Sequence, residues 1–151
     1  MSTPERLKFR CSDGVFLTGN RAAFLKSPTI HNFITNSTDP TAVIPLDSIR
    51  SNVMRLIIAW CEHHIDYPTV RYQDYDRYER PVTEFDHQLM DSCQNTLYDL
   101  LIACSFLELK GLSHVGANRV ARNVRGMGPE QMREYFGIPN NEEDDDVHEE
   151  P

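Results

Sequence analysis

Leu7-Lys8-Phe9-Arg10-Cys11-Ser12-Asp13-Gly14-Val15-Phe16-Leu17-Thr18 is the stretch on which the fold turns. Leu7, Phe9 and Cys11 alternate with Lys8 and Arg10, the two-residue period of a strand with one wet face. A second run, Val15 to Thr18, follows Asp13-Gly14. Asp-Gly between two such runs predicts a β-hairpin with positive φ at both central positions of its turn.

Downstream the period lengthens. Asn20 can cap a short helix over Arg21 to Lys26, and Ser27-Pro28 offers an N-cap and first-turn proline to a helix carrying Ile30, Phe33 and Ile34. After a loop at Asn36 to Pro40, Ala42 to Leu46 reads as an extended segment that Pro45 pushes to a sheet edge. Asp47 or Ser48 can start the next helix, where Val53, Leu56, Ile57, Trp60 and His64 recur at three- and four-residue steps. Residues 66–84 lose that periodicity and gain tyrosines and mixed charge between Pro68 and Pro81, predicting a flexible, solvated loop.

From Thr96 the apolar pattern returns. Leu97, Leu100, Leu101, Cys104 and Leu107, with Ile102 and Phe106 beside them, predict a central, buried helix. Lys110-Gly111-Leu112 reads as a glycine-capped end and a restart. Ala117, Val120, Ala121 and Val124 form a further stripe, with Arg119, Arg122 and Arg125 on the wetter side. Gly126-Met127-Gly128 breaks it, and Pro129 opens a short helix in which Met132 and Phe136 share a face before Gly137. Few strands and segregated helices make an α+β domain.

The 151 residues carry a net charge of -8, yet seven acidic residues and no Lys or Arg lie after Pro139. The rest holds 16 acidic against 15 basic residues. A body so close to neutral argues against a nucleic-acid binder, and the three arginines at 119, 122 and 125 read as a solvated face. There is no run of about 18 apolar residues for a membrane span, and the first residues lack the apolar core of a signal peptide. The four widely spaced cysteines, Cys11, Cys61, Cys93 and Cys104, then read as reduced and mostly buried.

Chemistry is hard to find. Cys61 and His64 are three apart and could begin a zinc site, but no second pair matches them; they read as part of a core stripe, with His63 at the helix C-terminus. Cys104 has apolar neighbours and no base beside it. Gly126-Met127-Gly128 lacks the Lys-Ser/Thr of a phosphate loop. No catalytic, cofactor or metal site is expected. The unusual feature is apolar: Val115, Val120, Val124, Met132, Phe136 and Ile138 have little chain left to cover them. About half can fold back on the central helix as core, and the remainder would leave an exposed patch of the kind that binds a partner.

In order and spacing, several blocks resemble the S-phase kinase-associated protein 1 family. They are Leu7 to Gly14, Val43-Ile44-Pro45-Leu46, Ile58-Ala59-Trp60-Cys61-Glu62-His63-His64, Gln94 to Ala103 and Phe106-Leu107-Glu108-Leu109-Lys110-Gly111-Leu112. Gly128 to Arg133 with Phe136-Gly137-Ile138 is similar to its last block. The likeness spans residues 5 to about 140.

This resemblance implies a BTB/POZ fold with a C-terminal helical extension, acting as a non-catalytic adaptor that links F-box proteins to a cullin in an SCF (Skp-cullin-F-box) ubiquitin ligase. On it, residues 1–65 and 85–112 are the BTB/POZ parts around the 66–84 loop, 113–138 the F-box-binding extension, and 139–151 a disordered acidic tail. The implied F-box interface is Leu97, Tyr98, Leu101, Val115, Val120, Val124, Met132, Phe136 and Ile138. The implied cullin interface is Ile34, Thr35, Thr38, Ser105 and Phe106. Cytoplasmic and nuclear residence follows from the same likeness, and self-pairing of BTB-type surfaces is compatible with it.

Three departures stand out: an acidic run replaces the family's terminal helix with its Trp-Cys pair, the 66–84 loop is tyrosine-rich, and Ser105 stands where Asn is typical. Two other readings of the fold are an elongin C-like adaptor, which residues 113–138 oppose, and a self-assembling scaffold without ligase duty.

Overall fold

A computed structural model of the chain describes residues 5–39, 41–65 and 82–137. The sequence expectations for Pro40, for 66–81 and for the tail from Ile138 lie outside the described residues. The described part forms two compact units, within Met1–Ala117 and Asn118–Pro151.

In the first unit, β1 (Arg6–Cys11) pairs antiparallel with β2 (Phe16–Asn20) and parallel with β3 (Ile44–Leu46), giving a sheet of order β2-β1-β3. Leu7, Phe9 and Cys11 are buried while Lys8 and Arg10 are exposed, so the alternation holds. Pro45 sits on the edge strand, where its missing N–H breaks no ladder.

The hairpin is present, but its turn differs from the expected one. Of Asp13 and Gly14 only Gly14 has positive φ, at 81°. Gly14 N–H donates to Cys11 O at 2.9 Å, and Cys11 N–H donates to Val15 O at 2.9 Å. The loop is therefore three residues long, a turn followed by a left-handed glycine, which needs one positive φ rather than two.

That geometry frees Asp13 for another task. The helix α2 (Ser51–His63) starts later than Asp47 or Ser48, and its own N-cap, Arg50, gives no side-chain bond. Instead the Asp13 carboxylate accepts the Ser51 hydroxyl at 2.6 Å and the Ser51 N–H at 3.3 Å. An acceptor from across the chain thus caps α2.

The bond from the Ser51 hydroxyl is the main cause that holds the Asp13 carboxyl below its ordinary 3.8. A carboxylate whose pKa is depressed on folding stabilises fully above its unfolded value and loses that contribution as pH falls through its folded value. Asp13→Asn is therefore expected to destabilise by a constant amount above about pH 5, with the gap closing below that. Urea unfolding of both chains from neutral pH down to the acid limb checks this; a gap that stays constant throughout contradicts it.

Other caps match their residues. Asn20 accepts Ala22 N–H at the 3₁₀ turn Arg21–Phe24, and Ser27 accepts Ile30 N–H at α1 (Pro28–Asn36). Ser27 also donates its hydroxyl to Leu107 O at 2.6 Å, which ties α1 to the end of α4 (Leu97–Leu107). The core beneath the sheet holds Phe9, Phe24, Met54, Ile57, Trp60, Leu100 and Leu107, all at most 1% exposed. Each such side chain contributes about 1.5–3 kcal/mol by leaving water.

The loop expected through residue 84 ends earlier, because α3 (Glu84–Ser92) begins there. Thr83 accepts Asp86 N–H, and Asp86 accepts Thr83 N–H, a reciprocal capping box. Asp86 is fully buried and also accepts Trp60 Nε1–H at 2.9 Å and His64 Nε2–H at 2.7 Å. One carboxylate thus joins α3 to the end of α2. Lys26, itself buried, donates its ammonium to Cys61 O and His64 O at that same end.

The junction after α4 also differs from expectation. Glu108, not Gly111, is the C-cap; it adopts φ 57°, the left-handed region, and its N–H returns to Cys104 O and Ser105 O. Gly111 lies inside the first turn of α5 (Lys110–Val124).

The buried stripe of α5 is Leu112, Val115, Gly116 and Arg119, one step away from the expected Ala117, Val120, Ala121 and Val124. Ala117 and Ala121 are exposed, and Arg119 is buried instead of lying on the wet side with Arg122 and Arg125. Gly116 permits this register. A Cβ there would meet Leu101 Cδ2 at 2.6 Å, closer than packed side chains tolerate.

In the second unit, α5 ends at Val124, and Gly126 has φ 83°. The helix α6 (Pro129–Phe136) follows, with Gly128 N–H donating to Gln131 Oε1 and Gly137 closing it in the left-handed region.

Candidate partner-docking site

The central helix is only half covered, contrary to the buried helix expected. Leu97, Leu100, Ala103, Cys104 and Leu107 are buried, whereas Tyr98, Ile102 and Phe106 are 65%, 49% and 50% exposed. Spacings of four place these three on one face. Apolar residues all round a helix show that each face meets something apolar. The periodicity does not say which face the chain itself covers.

Of the residues assigned to the cullin side, Ser105 and Phe106 lie exposed on the last turn of α4. Ile34 and Thr35 lie on the last turn of α1, half-buried and exposed respectively, with exposed Thr38 just beyond. Thr29 Oγ1, on the first turn of α1, is 2.9 Å from Phe106 O, so one helix touches both groups at its two ends. The rise of a helix puts those ends about 9 Å apart. Beside Ile34 a cleft of about 160 Å³ is lined by Leu7, Phe33, Ala42, Ile44, Arg21 and Asp39 among others.

The residues assigned to the F-box side divide between the units. In the first, Tyr98 is exposed, Leu101 is half-buried against Gly116, and Leu97 and Val115 are buried. The last two therefore present no surface in this arrangement. In the second, Val120 and Val124 are half-buried, while Met132 and Phe136 are 37% and 39% exposed on α6. Tyr135 is equally exposed there, and its hydroxyl is 2.7 Å from Asn123 Nδ2. Ile138 lies outside the described residues.

Two contributors were not assigned to either partner surface by the sequence. Ile102 completes the exposed face of α4, and Tyr135 adds a ring to α6, edge-on to Phe136 at 5.0 Å between centroids. Ile102 was legible from its four-residue spacing to Tyr98 and Phe106. Tyr135 lies beside the Met132–Phe136 pair and has no such signal.

The thiols offer no nucleophile. All four cysteines are buried and none is in a disulfide. Burial pushes the Cys61 thiol up to about 12 and raises those of Cys104 and Cys11 as well, so little thiolate forms near neutrality. Iodoacetamide at about pH 8 is expected to leave these three unmodified in the native chain and to modify them in denaturant. Rapid native labelling, read by mass spectrometry, contradicts this. Among the described residues no cluster of three or more His, Cys, Asp or Glu could hold a metal ion, and no helix is long and apolar enough to cross a membrane. Cys61 and His64 belong to the core, where His64 serves Asp86.

What remains is a chain with uncovered apolar helix faces, and comparison with known proteins gives its relatives. Residues 5–66 match the family model described as Skp1 family, tetramerisation domain, and residues 110–150 the one described as Skp1 family, dimerisation domain. A curated relative from Aspergillus terreus, named E3 ubiquitin ligase complex SCF subunit sconC, is 33% identical over 99% of this chain and 96% of its own length. Relatives of the same name from Arthroderma benhamiae and Talaromyces marneffei are 32% and 29% identical, each over 96% of this chain and 92% and 94% of their own lengths.

Proposed function

This chain belongs to the Skp1 family, and from that premise we propose that it is the adaptor of an SCF-type E3 ubiquitin ligase, bridging F-box substrate receptors to a cullin. Its α+β fold is of the BTB/POZ type. The observation that carries the reading is the pair of uncovered apolar faces, one along α4 and one on α6, in a chain whose four thiols are buried.

An adaptor catalyses nothing. It raises the effective concentration of a receptor's cargo near the ligase, and needs only two surfaces that can be occupied together. Exposed aromatic and large aliphatic side chains are the type that anchors such interfaces, with polar neighbours as rim. Ser105 and Phe106 with the Ile34 to Thr38 segment form the cullin surface; Tyr98 and Leu101 in the first unit, and separately Met132 and Phe136 in the second, contribute to F-box binding. Work in cytoplasm and nucleus goes with this role.

A tagged chain and its Met132→Asp, Phe136→Asp double variant, used as bait in extract, test the reading. Wild type is expected to recover F-box proteins and a cullin, and the variant to keep the cullin while losing the F-box proteins. A folded wild type that recovers neither class contradicts the adaptor role and favours a self-assembling scaffold.

A further inference from the structure

The last turn of α4 is held in an unusual way. Glu108 has the one positive φ of a non-glycine residue among the described residues, at 57°. L residues leave that region unless something holds them. Here the holding group is Thr29, whose hydroxyl is 2.9 Å from Glu108 Oε2 and also 2.9 Å from Phe106 O. One hydroxyl proton therefore serves two acceptors. Next to it, the Ser27 hydroxyl donates to Leu107 O at 2.6 Å. Three consecutive residues at the end of α4 are thus gripped by two side chains at the start of α1: the Ser27 cap holds Leu107, and Thr29 holds Phe106 and Glu108 on either side through a shared proton.

We infer that the Thr29–Glu108 pair is a positioning device that fixes the last turn of α4, and with it the exposed Phe106 ring, for docking of the cullin. The docking part rests on the adaptor reading above; the clamp itself does not. Phe106 is half exposed and its ring cannot be oriented by burial alone, so its direction comes from its backbone. That backbone ends the helix, where carbonyl groups lack intrahelical donors and the turn frays. Thr29 satisfies the Phe106 carbonyl, while the Glu108 carboxylate draws Thr29 into place and holds the reversal that follows. An unfixed Phe106 would have to be ordered by the partner, at a cost in affinity.

A purely structural role makes a different forecast from a positioning role. Glu108→Gly removes the carboxylate while placing at φ 57° the residue best suited to it. Its unfolding midpoint is expected to equal or exceed that of wild type. Amide exchange at residues 105–109 is nevertheless expected to rise about fivefold or more, and cullin affinity to fall by a similar factor. Thr29→Val, which keeps shape and loses the hydroxyl, is expected to show the same two changes. Glu108→Gln and Thr29→Ser keep an acceptor and a donor, and are expected to restore both.

Exchange followed by mass spectrometry on the full chain, beside titration with a purified cullin N-terminal region, reads these outcomes. Unchanged exchange at 105–109 in Glu108→Gly and Thr29→Val overturns the inference whatever the cullin does. Faster exchange with unchanged cullin affinity overturns its docking part. If wild type binds no cullin while exchange still rises in both variants, the adaptor reading fails and the clamp stands.

Discussion

Asp86→Ala is expected to lower the unfolding free energy by about 3–5 kcal/mol, the loss typical when one partner of a buried charged or polar pair is removed. The carboxylate is fully buried and collects three donors: Trp60 Nε1–H, His64 Nε2–H and Thr83 N–H. Alanine withdraws the acceptor those groups share, in surroundings where water cannot replace it at full strength. It also opens the capping box at α3 and the link between α3 and α2. A domain of this size has about 5–15 kcal/mol in all, so the loss takes a large share of its stability and at the low end of that range leaves the variant partly unfolded. Asp86→Asn, which keeps an oxygen toward one ring, should lose less. Urea unfolding followed by Trp60 fluorescence measures both, and a loss under about 1 kcal/mol for alanine would show that Asp86 does not hold the two helices together.

Phe106→Asp is expected to act in the opposite way, leaving stability nearly unchanged and weakening cullin binding by about 30-fold or more. The ring is 50% exposed, so its removal leaves no cavity in the core. At an interface it has the character of an anchor, where truncation costs about 2 kcal/mol and a buried carboxylate adds to that. Calorimetric titration with a cullin N-terminal region, paired with thermal unfolding of each chain, separates the two effects. A variant that binds as tightly as wild type would move the cullin surface elsewhere.

These two residues also show what the sequence makes legible. Phe106 could be assigned to the helix α4 because periodicity acts on short stretches of chain, although its exposure could not be read that way. The hairpin, the caps at Asn20 and Ser27 and the edge position of Pro45 were readable for the same reason: their causes lie within four residues. Asp86 was overlooked although Thr83-x-x-Asp86 is a capping-box pattern, since it stands at the border of a stretch without apolar rhythm.

What decides the remaining features is distant in the chain. Asp13 caps Ser51 from 38 residues away, and that is why the start of α2 was set too early. The register of α5 follows from Gly116 closing on Leu101, so that Arg119 joins the buried stripe in place of Val120. No local count could show either. Periodicity likewise could not tell the covered face of α4 from the open one, because both are apolar; only the packed chain shows Tyr98, Ile102 and Phe106 left outside.

An adaptor must hold two partners at once, and the mass of the mixture shows whether this chain does. Purified chain, an F-box segment and a cullin N-terminal region would be combined in equal amounts and passed through size exclusion with light scattering. A single species with the mass of one copy of each is expected, reduced to the two-component complex lacking the cullin by Phe106→Asp. Binding of either partner that excludes the other, or a wild-type chain that elutes alone or only with itself, would contradict it.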